Sequence, residues 1–288
     1  MPRKLHLFIL LFSFASLARG QGWNAELFLG TAGYHGDLQQ ARFTFQDMRT
    51  AFGFGTSYDL NGHISFRGML NFVKLTGNDA DNTNQQLILR NLNFQTSVQE
   101  LSLTAHYNLF KIQESRFNLY GFLGLTVFHF NPYTYDRNGN KQFLQPLGTE
   151  GQGLSTNPGT SLYQRNSLAI PFGGGIRFQI TDGWSVGIEA SMRKTFTDYL
   201  DDVSGNYPDQ AALLSARGPT AVELSYRSAE LPQGDPNFPP AGTKRGSPQA
   251  KDWYYSTGLT ARFRISGSGS KFGGFGKTKG LGCPTKVY

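Results

Sequence analysis

Residues 101–109 read Leu-Ser-Leu-Thr-Ala-His-Tyr-Asn-Leu. Every odd position is apolar and every even one polar. A helix would scatter these side chains around its axis, whereas an extended strand puts successive residues on opposite faces. This stretch therefore reads as a strand with one apolar and one polar face.

The same period returns on both sides of it. Ile64, Phe66, Gly68, Leu70 and Phe72 alternate with His63, Ser65, Arg67, Met69 and Asn71. Trp184, Val186, Ile188, Ala190 and Met192 alternate with Ser185, Gly187, Glu189, Ser191 and Arg193. Tyr255, Thr257, Leu259, Ala261, Phe263 and Ile265 alternate with Tyr254, Ser256, Gly258, Thr260, Arg262 and Arg264. Weaker runs of the same kind cover 23–33, 49–59, 117–130 and 167–180, giving eight strands. Composition agrees: 35 Gly, 24 Phe, 13 Tyr and 3 Trp with only 16% charged residues suit short strands and turns.

The links between strands decide the architecture. Short links at 59–62, 111–116 and 181–183 alternate with long ones at about 34–48, 75–96, 131–166 and 197–252. Alternating tight turns and long loops is the pattern of an outer-membrane barrel. In lipid an open sheet would strand its edge N–H and C=O groups, so the sheet must close. The expectation is an all-β fold, an eight-stranded antiparallel transmembrane β-barrel. Its apolar set faces lipid, with Trp23, Tyr107, Phe130, Trp184, Trp253 and Tyr255 near the strand ends, where interfacial aromatics sit. Its inward set carries Glu26, Arg67, His106, Arg177, Glu189, Arg193, Arg262 and Arg264. An eight-stranded lumen is just wide enough for side chains to fill it, so these charges are expected to pair across a plug and not to line a channel. A soluble β-sandwich or lipocalin-like barrel also alternates, but its inward face would have to bury those same charges at several kcal/mol each.

The last long loop is not featureless. Pro208–Arg217 and Thr220–Leu231 read as short helices, the first ended by Gly218-Pro219, and residues 231–248 form a proline-rich irregular stretch.

The ends speak to location. Arg3 and Lys4, an apolar run from Leu5 to Leu17, and Ala18-Arg19-Gly20 lay out a secretory signal peptide over residues 1–20, cleaved between Gly20 and Gln21. Without Arg3, Lys4 and Arg19, 24 basic residues stand against 20 acidic ones. Lys271, Lys277, Lys279 and Lys286 in the tail 266–288 account for that excess, so the barrel, 21–265, is neutral and the tail basic. With an even number of strands both termini lie on the periplasmic side of the cell outer membrane.

Motifs for chemistry are weak. The histidines at 6, 35, 63, 106 and 129 lack metal-ligand spacing, and no metal or cofactor is expected. The glycine clusters at 173–175 and 273–276 lack the strand-to-helix setting of a phosphate loop, and close packing or flexibility explains them. Asp198, Asp201 and Asp202 do not match a calcium-loop spacing and read better as turn caps. His106 as a general base has no serine in triad order, and a lumen hydrogen bond suits it better. Neither nucleic acid nor a small-molecule substrate is expected. Cys283 is the sole cysteine, in a lysine-rich tail with Lys277, Lys279 and Lys286 around it. In an oxidising compartment an odd cysteine implies an intermolecular disulfide or a free thiol. Neighbouring lysines would lower its pKa and attract an acidic partner.

Several stretches carry a resemblance: Phe143–Gly153 (FLQPLGTEGQG), Arg193–Ser204 (RKTFTDYLDDVS), Arg245-Gly246-Ser247-Pro248 leading to Trp253-Tyr254, and Cys283-Pro284. They are similar to the PorG family, outer-membrane barrels of the type IX secretion system of Bacteroidota. That resemblance implies a non-enzymatic protein in contact with the lipid bilayer and with a periplasmic ring made of a lipoprotein and its partner. It also implies that Cys283 is the link to the ring lipoprotein. The competing expectation is a barrel working through its extracellular loops, as an adhesin or lipid-modifying enzyme. A small-solute channel is a third class.

Overall fold

The computed structural model describes residues 22–39, 43–44, 47–112, 115–157 and 159–266. Eight long strands form the wall: β1 (Gly22–His35), β2 (Arg49–Asp59), β3 (Ile64–Asn78), β4 (Asn93–Asn108), β5 (Phe117–His129), β8 (Asn166–Thr181), β9 (Trp184–Thr195) and β10 (Trp253–Ser266). Each pairs antiparallel with its neighbour in sequence, and β1 pairs with β10 to close the ring. Two short strands, β6 (Tyr133–Tyr135) and β7 (Lys141–Phe143), form a hairpin beyond the wall, joined to β4 through Gln95 and Tyr133. The chain is thus a closed eight-stranded antiparallel barrel.

Alternation in the sequence becomes two surfaces. On β4, Leu101, Leu103, Ala105 and Tyr107 face out while Glu100, Ser102, Thr104 and His106 are buried. Leu103 lies opposite Leu125 of β5, and the two are 63% and 70% exposed. Such exposure of large aliphatics all round a barrel is untenable in water and suits hydrocarbon. This is an outer-membrane type barrel with its apolar face outward. The packing reading of glycines 173–175 fits the wall: a Cβ on Gly175 would stand 2.5 Å from Ile188 O and 2.6 Å from Tyr120 Oη.

Three expectations need correction. Strands β3 and β4 run past the clear alternation, so their link is 79–92 and not 75–96. There Val73, Leu75, Phe94 and Val98 point inward and Lys74 outward, which blurs the polar-inside pattern while keeping its phase. The second loop helix is shorter than 220–231: α2 (Gln210–Arg217) and α3 (Pro219–Ser225) follow α1 (Gln85–Arg90), and the chain leaves helix after Ser225. Phe130 is not an interfacial aromatic but fully buried, stacked 6.1 Å from Tyr163. Tyr255 does point outward, yet Phe43 packs edge-on against it and its hydroxyl bonds Thr44, leaving it 7% exposed.

The reason Phe130 is buried is that the long loops are folded. Leu38, Leu92, Phe130, Leu144, Tyr163, Leu200, Val203 and Leu224, drawn from all four of them, pack with the ends of the strands into one hydrophobic core. The barrel therefore carries a cap at its long-loop end, with the chain's described ends at the other.

Candidate functional site

The lumen holds two charged layers. Nearer the short turns, Arg67 grips Glu189 with its two terminal guanidinium nitrogens at 2.7 and 2.8 Å, and Tyr120 donates to the same carboxylate at 2.8 Å. Arg262 bridges Glu26 at 3.4 Å and also donates to Asp59. Arg177 lies over the Tyr120 ring at 4.6 Å. In the next layer Glu100 accepts from Arg193 at 2.7 Å, Asn71 at 2.8 Å and Tyr254 at 2.5 Å. Paired and hydrogen-bonded charges of this kind are the only ones a dry interior tolerates. Four buried arginines (Arg67, Arg177, Arg193 and Arg262) meet four buried carboxylates (Glu26, Asp59, Glu100 and Glu189). The cavity between the layers is about 20 Å³, room for a water and no solute.

Of the residues expected to face inward, Glu26, Arg67, His106, Arg177, Glu189, Arg193 and Arg262 are all buried in the lumen. Arg264 is on the same face but half-buried at the mouth by the short turns, next to Asp182 and Gly183. His106 bonds Thr104 at 2.9 Å and stacks on Phe122, so it is a lumen hydrogen-bonder. Asp59, Glu100, Tyr120 and Tyr254 were missed. Glu100 directly precedes the 101–109 stretch, so extending that alternation by one step would have found it, and Asp59 closes the run 49–59 on its inward phase. Gly20, Gln21, Cys283, Lys277, Lys279 and Lys286 lie outside the described residues.

Three of the stretches that carried the resemblance, 143–153, 193–204 and 245–248, meet in the cap. In 143–153, Gly148, Gly151 and Gly153 take positive φ values of 55°, 74° and 77°, which only a residue without Cβ adopts cheaply and which fold the segment back on itself. That turn presents Glu150, whose carboxylate accepts the Ser204 N–H at 2.9 Å, the Gly205 N–H at 3.0 Å and Arg245 at 3.1 Å. Thr149 donates to Asp202 at 2.5 Å and Tyr163 does so at 2.7 Å. Arg245 also donates to the Asp202 carbonyl at 2.8 Å and is buried completely enough to need all of these acceptors. Leu200 N–H bonds Asp252, and Tyr34 spans Asp201 and Asp252 at 2.6 and 3.1 Å. Arg90 at the end of α1 holds Asp79 with two 2.7 Å bonds and reaches the Asp37 and Arg245 carbonyls. One side chain thus ties three of the four long loops.

Burial governs the acids of the cap. It lifts Asp198 to about 6 despite a bond from Ser204. It lifts Asp202 to about 6 as well, opposed by the Arg245 charge. Asp201 and Asp252 rise well above the ordinary carboxylate range, by burial first and then by the charges of neighbouring aspartates. Asp201 bonds the Val203 N–H two residues on, a turn cap. Among the described residues no three His, Cys, Asp or Glu side chains are placed to hold a metal ion.

Residues 3–218 match the family model described as a domain of unknown function, DUF6089. The chain belongs to that family. No curated protein matches it. Solved structures similar to the DUF6089 chain include Neisserial surface protein A, at 8% identity and TM-score 0.41, covering 84% of this chain and 97% of that one. A major outer membrane protein from Thermus thermophilus shows 11% identity and TM-score 0.39, with 86% and 100% covered. The attachment invasion locus protein Ail of Yersinia pestis, solved with a heparin analogue, shows 11% identity and TM-score 0.37, with 85% and 99% covered.

Proposed function

We propose that this barrel is a non-enzymatic structural component of a protein secretion machinery, the type IX system, and holds a periplasmic lipoprotein ring at the outer membrane. The observation that supports this is the pairing of the first and last strands, which sets Trp23 opposite Ser266 beside the short turns. Whatever follows Ser266 leaves on that side, which in an outer-membrane barrel is the periplasmic one. The lysine-rich stretch ending at Cys283 is then delivered to the space where a ring partner resides. The sealed lumen fits an anchor better than a channel.

Non-reducing gels of native envelopes test it. A band above the monomer that vanishes in Cys283→Ser supports the tether, and identical lanes refute it. Deleting 266–288 should abolish ring assembly and export. A second reading, a barrel that binds through its extracellular loops, is favoured by one observation: those loops form a packed cap and not loose connections. Replacing 207–250 while the tail is intact should then remove function, which the anchoring role does not require.

A further inference from the structure

Tyr34, Asp201 and Asp252 form a cluster that is one hydrogen short. The Tyr34 oxygen stands 2.6 Å from Asp201 Oδ2 and 3.1 Å from Asp252 Oδ1. A phenol carries a single hydrogen, and it can point at only one of them. The far oxygens of both acids already accept: Asp201 Oδ1 takes the Val203 N–H and Asp252 Oδ2 the Leu200 N–H, both at 2.9 Å. Were both acids ionised, the phenol oxygen and one carboxylate oxygen would face each other with no hydrogen between them.

Nothing around the cluster repairs this. All three side chains are at most 1% exposed. Gly36 closes one side, where a Cβ would collide with both the phenol oxygen and Asp252 Oδ1. The Tyr34 ring stands edge-on to Phe94 at 4.9 Å, which fixes where its hydroxyl can reach. The charged groups facing the two acids are Asp198 on their own loop, Asp37 from the loop after β1 and Arg90 at the end of α1. The first two are acids and add repulsion. Arg90 is already held by Asp79 and by the Asp37 and Arg245 carbonyls. Of the sequence neighbours, Lys251 is exposed and bonds the Pro248 carbonyl, while Asp202 turns to Thr149 and Tyr163. Two buried carboxylates without a counter-charge cannot both ionise, and one keeps a proton. The 2.6 Å contact has the length of an O–H···O⁻ bond, about 2.5–2.7 Å. Asp201 is therefore the ionised member, and the proton belongs to Asp252.

We propose that Asp201 and Asp252 share one proton, carried on Asp252 and donated to Tyr34, and that this proton latches the cap, so that the outer face tightens in acid and slackens as pH rises. With the proton in place, Asp252 donates to the phenol, the phenol donates to Asp201, and the turn between them is clamped to the end of β1 and to the residue before β10. Without it, two like charges face one hydroxyl and the turn is pushed off the strand ends. Closing takes one proton from solvent and opening returns it. Burial first, and then the neighbouring aspartates, hold the pair well above the usual carboxylate range, where the opened loop does not. Closure therefore weakens as pH rises from the ordinary carboxylate range to the titration of the closed pair, by about tenfold in population per pH unit, and is constant beyond it. The latch depends neither on the tail nor on the anchoring role.

The test uses the full chain in detergent micelles. Asp252→Asn puts an amide N–H where the proton sits and keeps an oxygen for the Leu200 N–H, so its cap should stay closed with no proton to lose. Amide exchange at Leu200 and Val203, corrected for intrinsic rate, is followed in both proteins from about pH 5 to about pH 9. The ratio of opened populations, native chain over variant, should climb about tenfold per pH unit and then level off; Asp198 and Asp202 titrate in both proteins and cancel. Infrared spectra at about pH 6 should show a carboxylic acid C=O band in the native chain that the variant lacks. Should Asp252→Asn lose exchange protection at Ser204 and Gly205, Asp201→Asn takes its place: its amide donates to Tyr34, and the phenol hydrogen turns to an ionised Asp252. Parallel pH profiles for the native chain and a closed variant overturn the proposal, as do matching infrared spectra. An open cap in both variants also overturns it, because a neutral group at either position should be tolerated.

Discussion

Replacing Arg245 by methionine should open the cap without opening the barrel. Its guanidinium is the only cation within ion-pair distance of Glu150 and Asp202 among the described residues, and all three side chains are at most 4% exposed. Removing one partner of a buried pair typically costs 3–5 kcal/mol, because the other charge is left uncompensated. Here the lower end applies, since Glu150 keeps the Ser204 and Gly205 N–H groups and Asp202 keeps Thr149 and Tyr163. A loss of about 3 kcal/mol is roughly a hundredfold rise in the opened population at 1.4 kcal/mol per tenfold. Amide exchange read by mass spectrometry should show it at 149–152 and 202–205, and trypsin should cut faster at exposed Lys244. Far-ultraviolet circular dichroism should hold, because the wall makes its hydrogen bonds without the cap. Adding Glu150→Gln should recover part of the loss, since a neutral amide needs no counter-charge. Exchange at Ser204 and Gly205 within threefold of the native chain, judged against the roughly hundredfold expected, would refute the claim that this ion pair holds the loops together.

Three further outcomes can be checked. Asp202 has its carboxyl raised from 3.8 to about 6 by burial, so the folded cap binds a proton that the unfolded loop does not between those values. Its stability therefore rises as pH falls from 7 to 5, by about 1 kcal/mol from this group alone, and intrinsic-rate-corrected exchange should slow several-fold at pH 5; equal or faster exchange contradicts it. Leu125→Lys puts a charge on the lipid side opposite Leu103 and should cost about 2–4 kcal/mol in urea titration of the bilayer-inserted barrel, whereas a change below about 0.5 would place that face out of the hydrocarbon. Arg193→Met should destabilise the barrel in micelles more than Arg193→Met combined with Glu100→Gln does, because the pair and not either member is tolerated; the reverse order would show Glu100 to be held by Asn71 and Tyr254 alone.

The wall was legible in the sequence because a strand's period of two survives in the order of residues. Leu101–Leu109 announced both its faces, and the alternation of short and long links gave the meander and its closure. Legibility ended where the environment changed. At Val73 and Leu75 the lumen gives way to the cap core, so inward residues turn apolar and the contrast that marks a strand is lost. The cap itself has no period to read. Its contacts run between residues far apart in the chain, such as Glu150 with Arg245 or Tyr34 with Asp201. The stretches 143–153, 193–204 and 245–248 lie far apart in the sequence, and only the fold shows that they touch.

The seat beneath the cap is furnished from both extremities of the wall. Tyr34 comes from the first strand, and Asp252 stands immediately before the last. Until those two strands zip together, neither partner exists for the other, and the aspartate-rich turn at 201–202 has nothing to sit on. An ordered outer face is therefore a receipt for a sealed cylinder: any factor that recognises that face meets only molecules whose insertion is finished.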